Sequence, residues 1–166
     1  MRVEACLATV HADGSVLSAM SAVQLHRVLS EAWEAMGDLQ KSLAALKLSQ
    51  SAGFVWSGDS QQARMYGKES LIQLRQLGVQ WAIGYALNNL ALAAYHAGDL
   101  TAAGTMIDES VALLRSQGAA GGLAEVLVSQ GQILQAQGNV AAAYGALMEA
   151  VRLAWGMGPR VMFSNN

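Results

Sequence analysis

The chain has the length of one ordinary domain, 166 residues, and its composition, 53% hydrophobic with only 13% charged where roughly 25% is usual, excludes intrinsic disorder. A net charge of −2 provides no basic footprint for DNA or RNA, so direct nucleic-acid binding is not expected. The single cysteine, Cys6, can form no internal disulfide, and no Cys/His cluster has zinc spacing, which points to a metal-free protein of the reducing cytoplasm with no cofactor.

Taken in chain order, residues 1–19 form a poorly defined N-terminal segment, in which Arg2 to His11 reads as a short helix ended by the turn dipeptide Asp13-Gly14. The run Ala5 to Val10 is too short, and Glu4 too close to it, for a secretory signal. Residues 20–158 read as one helical domain, irregular over 20–57 and regular over 58–158. In the irregular part, Met20 to Met36 and Leu39 to about Ala52 are helical, with Gly37-Asp38-Leu39 as a turn between them. The next Gly-Asp pair, Gly58-Asp59, follows 21 residues later, so Leu39 to Ser57 is expected to close one unit and open the next within an irregular three-helix cap that includes Ser60 to Leu77.

From Gly58 onward the sequence repeats with a period of 40 residues and no gap. The shift superposes Gly58-Asp59, Gly98-Asp99 and Gly138-Asn139; Ala63, Ala103 and Ala143; Glu69-Ser70, Glu109-Ser110 and Glu149-Ala150; and Gly78, Gly118 and Gly158. Each period holds two helix-length segments punctuated by glycine, which accepts the left-handed conformation needed just past a helix end. The adjoining Asp or Asn accepts from the free N–H groups that open the next helix. Leu87, Leu90, Ala91 and Ala94, and again Leu127, Gly131 and Leu134, mark amphipathic stripes that one hairpin cannot bury alone. Gly156, Gly158 and Pro159 end the last helix and leave residues 159–166 as a tail or truncated repeat.

A small residue in mid-helix (Ala91, Gly131), the Gly-Asp/Asn turn, a hydrophobe after it (Leu100, Val140) and an alanine three further on (Ala103, Ala143) resemble the tetratricopeptide repeat. The 40-residue period with Glu-Ser-Leu and Leu-Arg-x-x-Gly is similar to the arrays of bacterial signal-transduction ATPases and transcriptional regulators. The resemblance covers residues 20–158 and is strongest over 58–158. Departures are Gln130 in the place of Leu90, the absence of a closing proline, and alanine or leucine at aromatic positions. It implies an all-α fold in which antiparallel hairpins stack as a right-handed α-solenoid of about seven helices. It further implies a protein-binding scaffold in a bacterial regulator.

Chemistry-bearing residues are sparse. Residues 76–98 and 126–148 lack formal charge and are long enough to span a bilayer, but Asn88, Asn89, His96, Gln130, Gln132 and Gln135 make them soluble helices, and no membrane association is expected. His11, His26 and His96 have no metalloprotease or zinc-finger spacing. Gly118 to Gly122 follows no strand and lacks the lysine of a phosphate-binding loop, and Asp108-Glu109 point in different directions on a helix. The chain reads as non-enzymatic.

The face opposite the stripe of the first helices is the place for a peptide or protein ligand. It carries Tyr85, Asn88, Leu92, Tyr95 and His96 in one unit and Glu125, Val128, Gln132 and Gln135 in the next. Asn and Gln amides match a peptide backbone, and tyrosine adds area with a polar tip. The alternative is a structural module that self-associates through its uncapped, apolar solenoid ends as a homo-oligomer. Arg64, Lys68 and Arg75 at one end, against an acidic excess beyond residue 76, add an ionic version of that head-to-tail contact.

Overall fold

The computed structural model describes Arg27 and residues 37–157, and among these the protein is all-α, with six helices and no strand. They are α1 (Leu39–Ser57), α2 (Ser60–Leu77), α3 (Gln80–His96), α4 (Leu100–Ser116), α5 (Ala120–Ala136) and α6 (Val140–Met157). The expected helices Arg2 to His11 and Met20 to Met36, Cys6, His11, His26 and the tail lie outside the described residues. Seven helices were expected, and the described residues hold six.

Every turn has the same physical basis. Gly37, Gly58, Gly78, Gly98, Gly118 and Gly138 have φ between 64° and 83°, the left-handed region. They fall 20 or 21 residues apart, one per helix. Inside the hairpins, Asp59, Asp99 and Asn139 accept from the backbone N–H of Gln62, Ala102 and Ala142 at 3.0, 3.0 and 3.3 Å. Between hairpins, Val79 and Ala119 open the next helix with no side-chain cap.

The helices pair as α1–α2, α3–α4 and α5–α6, each second helix packs on the next first helix, and α1, α3 and α5 also touch in succession. Residues 39–57 thus form the first helix of an ordinary hairpin. Gly37-Asp38, just before α1, resembles the turns inside hairpins because Asp38 accepts from Lys41 N at 3.2 Å, whereas Val79 and Ala119 open the later first helices without such a cap. The 21-residue interval between Gly37 and Gly58 holds the single helix α1; its expected partner Met20 to Met36 lies outside the described residues.

The repeated motifs have separate tasks. Ser70 and Ser110 donate to the carbonyls of Ala44 and Gly84 across their hairpins, at 3.1 and 2.6 Å, and Ala150 fills the same position in α6 as a buried apolar residue. Arg75 pairs with Glu109 and Arg115 with Glu149, at 2.9 and 2.8 Å, linking successive second helices. These exposed pairs contribute about 0–1 kcal/mol each. Leu74 and Leu114, which precede those arginines, are fully buried. At the upstream end Glu69 turns instead to Lys47 of its own hairpin, at 2.8 Å.

Mid-helix glycines mark close approaches. A Cβ at Gly84 would stand 2.8 Å from Leu114 Cγ, and one at Gly131 equally close to Leu147. Leu114 is fully enclosed and cannot step aside. Gly84→Ala should therefore destabilise the protein by about 1–3 kcal/mol in urea denaturation despite alanine's higher helix propensity. Gly145→Ala, whose Cβ would meet nothing within 4 Å, should stabilise it by about 0.5–1 kcal/mol.

Candidate functional site

The α3 half of the expected peptide face is largely closed. Tyr85 and Asn88, both expected on that face, are 5% and 3% exposed, so neither presents a surface to a ligand in this arrangement. The cause is the close seating of neighbouring first helices. Gly122 of α5 lets the Tyr85 hydroxyl in, where a Cβ would lie only 2.8 Å from Oη, and Trp81 meets the Tyr85 ring edge-on at 6.3 Å. Asn89 Nδ2 reaches back to the Leu48 carbonyl of α1 at 3.4 Å. Asn88 Oδ1 accepts no hydrogen bond from the described residues, an arrangement that costs about 1–3 kcal/mol. Leu92 and Tyr95 are half-buried, and His96, edge-on to Tyr95 at 5.2 Å, is exposed.

Glu125 lies beside the buried phenol. Burial raises its carboxyl from 4.5 to about 7, and burial followed by the Glu125 charge pushes the Tyr85 hydroxyl far up, keeping it neutral. These two groups belong to the joint between α3 and α5.

The remaining expected residues, Val128, Gln132 and Gln135, are exposed for a different reason. Shifted by 40 residues they correspond to Asn88, which is buried, and to Leu92 and Tyr95, which are half-buried. Among the described residues no hairpin follows α5–α6. The three side chains lie on the last first helix of the described stack.

On α6 that open end becomes strongly apolar. Val140, Tyr144, Leu147, Val151 and Trp155 recur at spacings of 4, 3, 4 and 4, and so share one face. Trp155 is 73% exposed, Val140 and Tyr144 67% each. Their counterparts in α4 are Leu100, Gly104, Ile107, Val111 and Arg115, of which Ile107 and Val111 are buried in the core shared with α5. Among the described residues, no helix covers the part of the α6 row that matches buried Ile107 and Val111. An apolar end was expected from the sequence, but its residues were missed. The signal was Trp155, an aromatic at the position where Arg75 and Arg115 make ion pairs.

Elsewhere, a cleft of about 290 Å³ lies between α4 and α5, lined by Thr101, Gly104, Thr105, Asp108, Leu134 and Gln137 among others. Its polar groups hold the helices together: Gln137 Nε2 donates to the Leu100 carbonyl and Gln130 Nε2 to Asp108 Oδ1, both at 2.8 Å. Among the described residues, no group of three His, Cys, Asp or Glu is placed to hold a metal, and no helix is long and apolar enough to cross a membrane. No protein-family model and no curated protein matches the chain.

Glu125 binds its proton more tightly folded than unfolded, so stability falls as pH rises between about 4.5 and 7 and is level above that. One such group gives a slope of at most about 1.4 kcal/mol per pH unit. Glu125→Gln, which cannot ionise, should remove this fall in urea denaturation series run on both sides of the window. An unchanged slope would assign it to other groups.

Proposed function

We propose that the chain is a non-catalytic protein-interaction module, a tetratricopeptide-like right-handed α-solenoid, that binds a helix across its open α5–α6 end. The observation that carries this reading is the charge-free row Val140, Tyr144, Leu147, Val151 and Trp155, flanked by Val128, all exposed on one end of the stack. A contiguous apolar surface of this kind marks an interaction site, and tryptophan and tyrosine are the side chains most enriched where binding energy concentrates.

The helix partner is argued from the array itself. On α4 the middle of the equivalent row, Ile107 and Val111, is buried against α5, a first helix of the next hairpin, which supports a helix with the same pattern as the occupant of the α6 row. The peptide groove read from the sequence keeps Leu92, Tyr95 and His96 on α3 but loses Tyr85 and Asn88, which leaves it little amide surface. The resemblance to bacterial regulators supports a cytoplasmic signalling or transcriptional setting for the module.

Affinity capture from the native cell with three forms of the protein tests the location. Tyr144→Ala/Trp155→Ala should lose captured protein by tenfold or more, while Leu92→Ala/His96→Ala should retain it. The opposite pattern would return the site to the concave face. Asn88→Leu should leave capture unchanged and raise stability by about 1 kcal/mol, since it removes a buried unpartnered polar group from a position held by Leu48 and Val128 in the neighbouring units.

A further inference from the structure

A second open row lies at the other end of the described stack. On α1, Leu39, Leu43, Leu46, Gln50, Gly53 and Ser57 follow one another at spacings of 4, 3, 4, 3 and 4. Leu39, Leu43, Leu46, Gln50 and Ser57 are exposed, and a Cβ at Gly53 would touch nothing within 4 Å.

The 40-residue shift carries this row onto Val79, Ile83, Ala86, Leu90, Ala93 and Ala97 around α3, and onto Ala119, Leu123, Val126, Gln130, Ile133 and Gln137 around α5. Both of those rows face the preceding hairpin. Leu90 fills the space left by Gly67 of α2, Ala93 joins Ala63 of α2 in one apolar cluster, and Gln130 and Gln137 bond to Asp108 and Leu100 of α4. The α1 row is therefore the first-helix half of the hairpin–hairpin interface, and the α6 row is the second-helix half. Each lacks what the other offers.

Resting on the open-end reading above, we propose that the helix received by α6 is α1 of a second copy of this chain, so that the interface joining α2 to α3 and α4 to α5 continues from one molecule to the next. The antiparallel register of α4 and α5 brings the start of α6 to the end of α1 and the end of α6 to its start. Bulk is then exchanged across the joint. Within the chain, small Gly104 admits Gln137 beside Ile133. Between molecules, large Tyr144 takes the place of Gly104, while Gly53 and Ser57 take those of Ile133 and Gln137. At the other end Trp155 meets Leu39 and Leu43, the counterparts of Ala119 and Leu123.

Neither row contains a formal charge, so their approach meets no repulsion and forms no buried ion. Trp155 and Tyr144 alone offer about 300 Å² of exposed surface toward the roughly 800 Å² per partner of a standard interface. The contact is heterologous, which yields rings or open chains.

The test uses the full chain and sedimentation velocity from micromolar to millimolar protein. Leu43→Glu/Leu46→Glu blocks the α1 row and Val151→Glu/Trp155→Glu the α6 row; all four side chains are exposed, and circular dichroism checks that both variants fold. The wild type should grow with concentration, each variant alone should stay monomeric, and an equimolar mixture should form a one-to-one dimer that grows no further, because each variant retains the half that the other lacks. Growth of the wild type should survive high salt, since the contact is apolar, whereas loss in salt would favour the ionic contact of Arg64, Lys68 and Arg75 and overturn this one. Continued self-association of the α1 variant would overturn it in favour of two-fold pairing of α6 with α6. A wild type and mixture that stay monomeric would overturn it too. The open-end reading itself would then stand or fall on the capture experiment.

Discussion

The left-handed glycine at each helix end is the constraint from which the rest follows. It stops a helix after about five turns and reverses the chain at an interval of 20 or 21 residues, so that side chains 40 positions apart meet equivalent surroundings. With that register fixed, one residue type can repeat one task along the stack. Serine ties the second helix to a carbonyl of the first, leucine enters the core, and arginine reaches the glutamate of the following unit. A slip of one residue would turn each of these side chains by about 100° and dissolve all three sets together.

Equivalence of position does not require equivalence of residue, and the departures locate the joints. Gly67, Gly84 and Gly131 stand at different repeat positions, each admitting a leucine from a neighbouring helix. Tyr85 enters α5 because Gly122 makes room, and the half-buried Glu125 beside it holds its proton to about pH 7. The first-helix joints are thus packed tightly enough to enclose polar groups.

The hairpin plan was legible in the sequence wherever one side chain decides the local geometry. Gly-Asp and Gly-Asn turns, the small residues Ala63, Ala103 and Ala143, the ends of α2 to α5 and the start of α6 follow from capping and periodicity. The turn at Gly37 is the hard one to place from sequence, because Asp38 supplies a cap before the first helix of a hairpin, where Val79 and Ala119 supply none. Exposure was harder to read than helicity. The helical wheel places Tyr85 and Asn88 opposite the main stripe, but α3 is enclosed by helices on several sides, and a wheel drawn for one helix contains no information about how closely the next one sits. Val128, Gln132 and Gln135, by contrast, are exposed on α5 as expected of surface residues, although their counterparts Asn88, Leu92 and Tyr95 are buried or half-buried.

A stacked array must leave two unmatched rows, and what matters is the residues placed there. Polar side chains would close the array at little cost; here one row holds three leucines, and the other holds tyrosine, tryptophan, leucine and two valines. The roughly 300 Å² offered by Trp155 and Tyr144 corresponds to about 7 kcal/mol at 25 cal/mol per Å², which is of the same order as the 4–15 kcal/mol lost when two molecules associate. A contact confined to those two side chains would therefore be near balance. Engagement of the whole row, with the leucines of α1 opposite it, moves the sum toward binding, while the lack of buried charge or extensive hydrogen bonding keeps it reversible. The repeated register that organises the interior thus leaves a row at each end of the described stack, and the strength of the proposed contact would be set by how many residues of each row meet their counterparts at once.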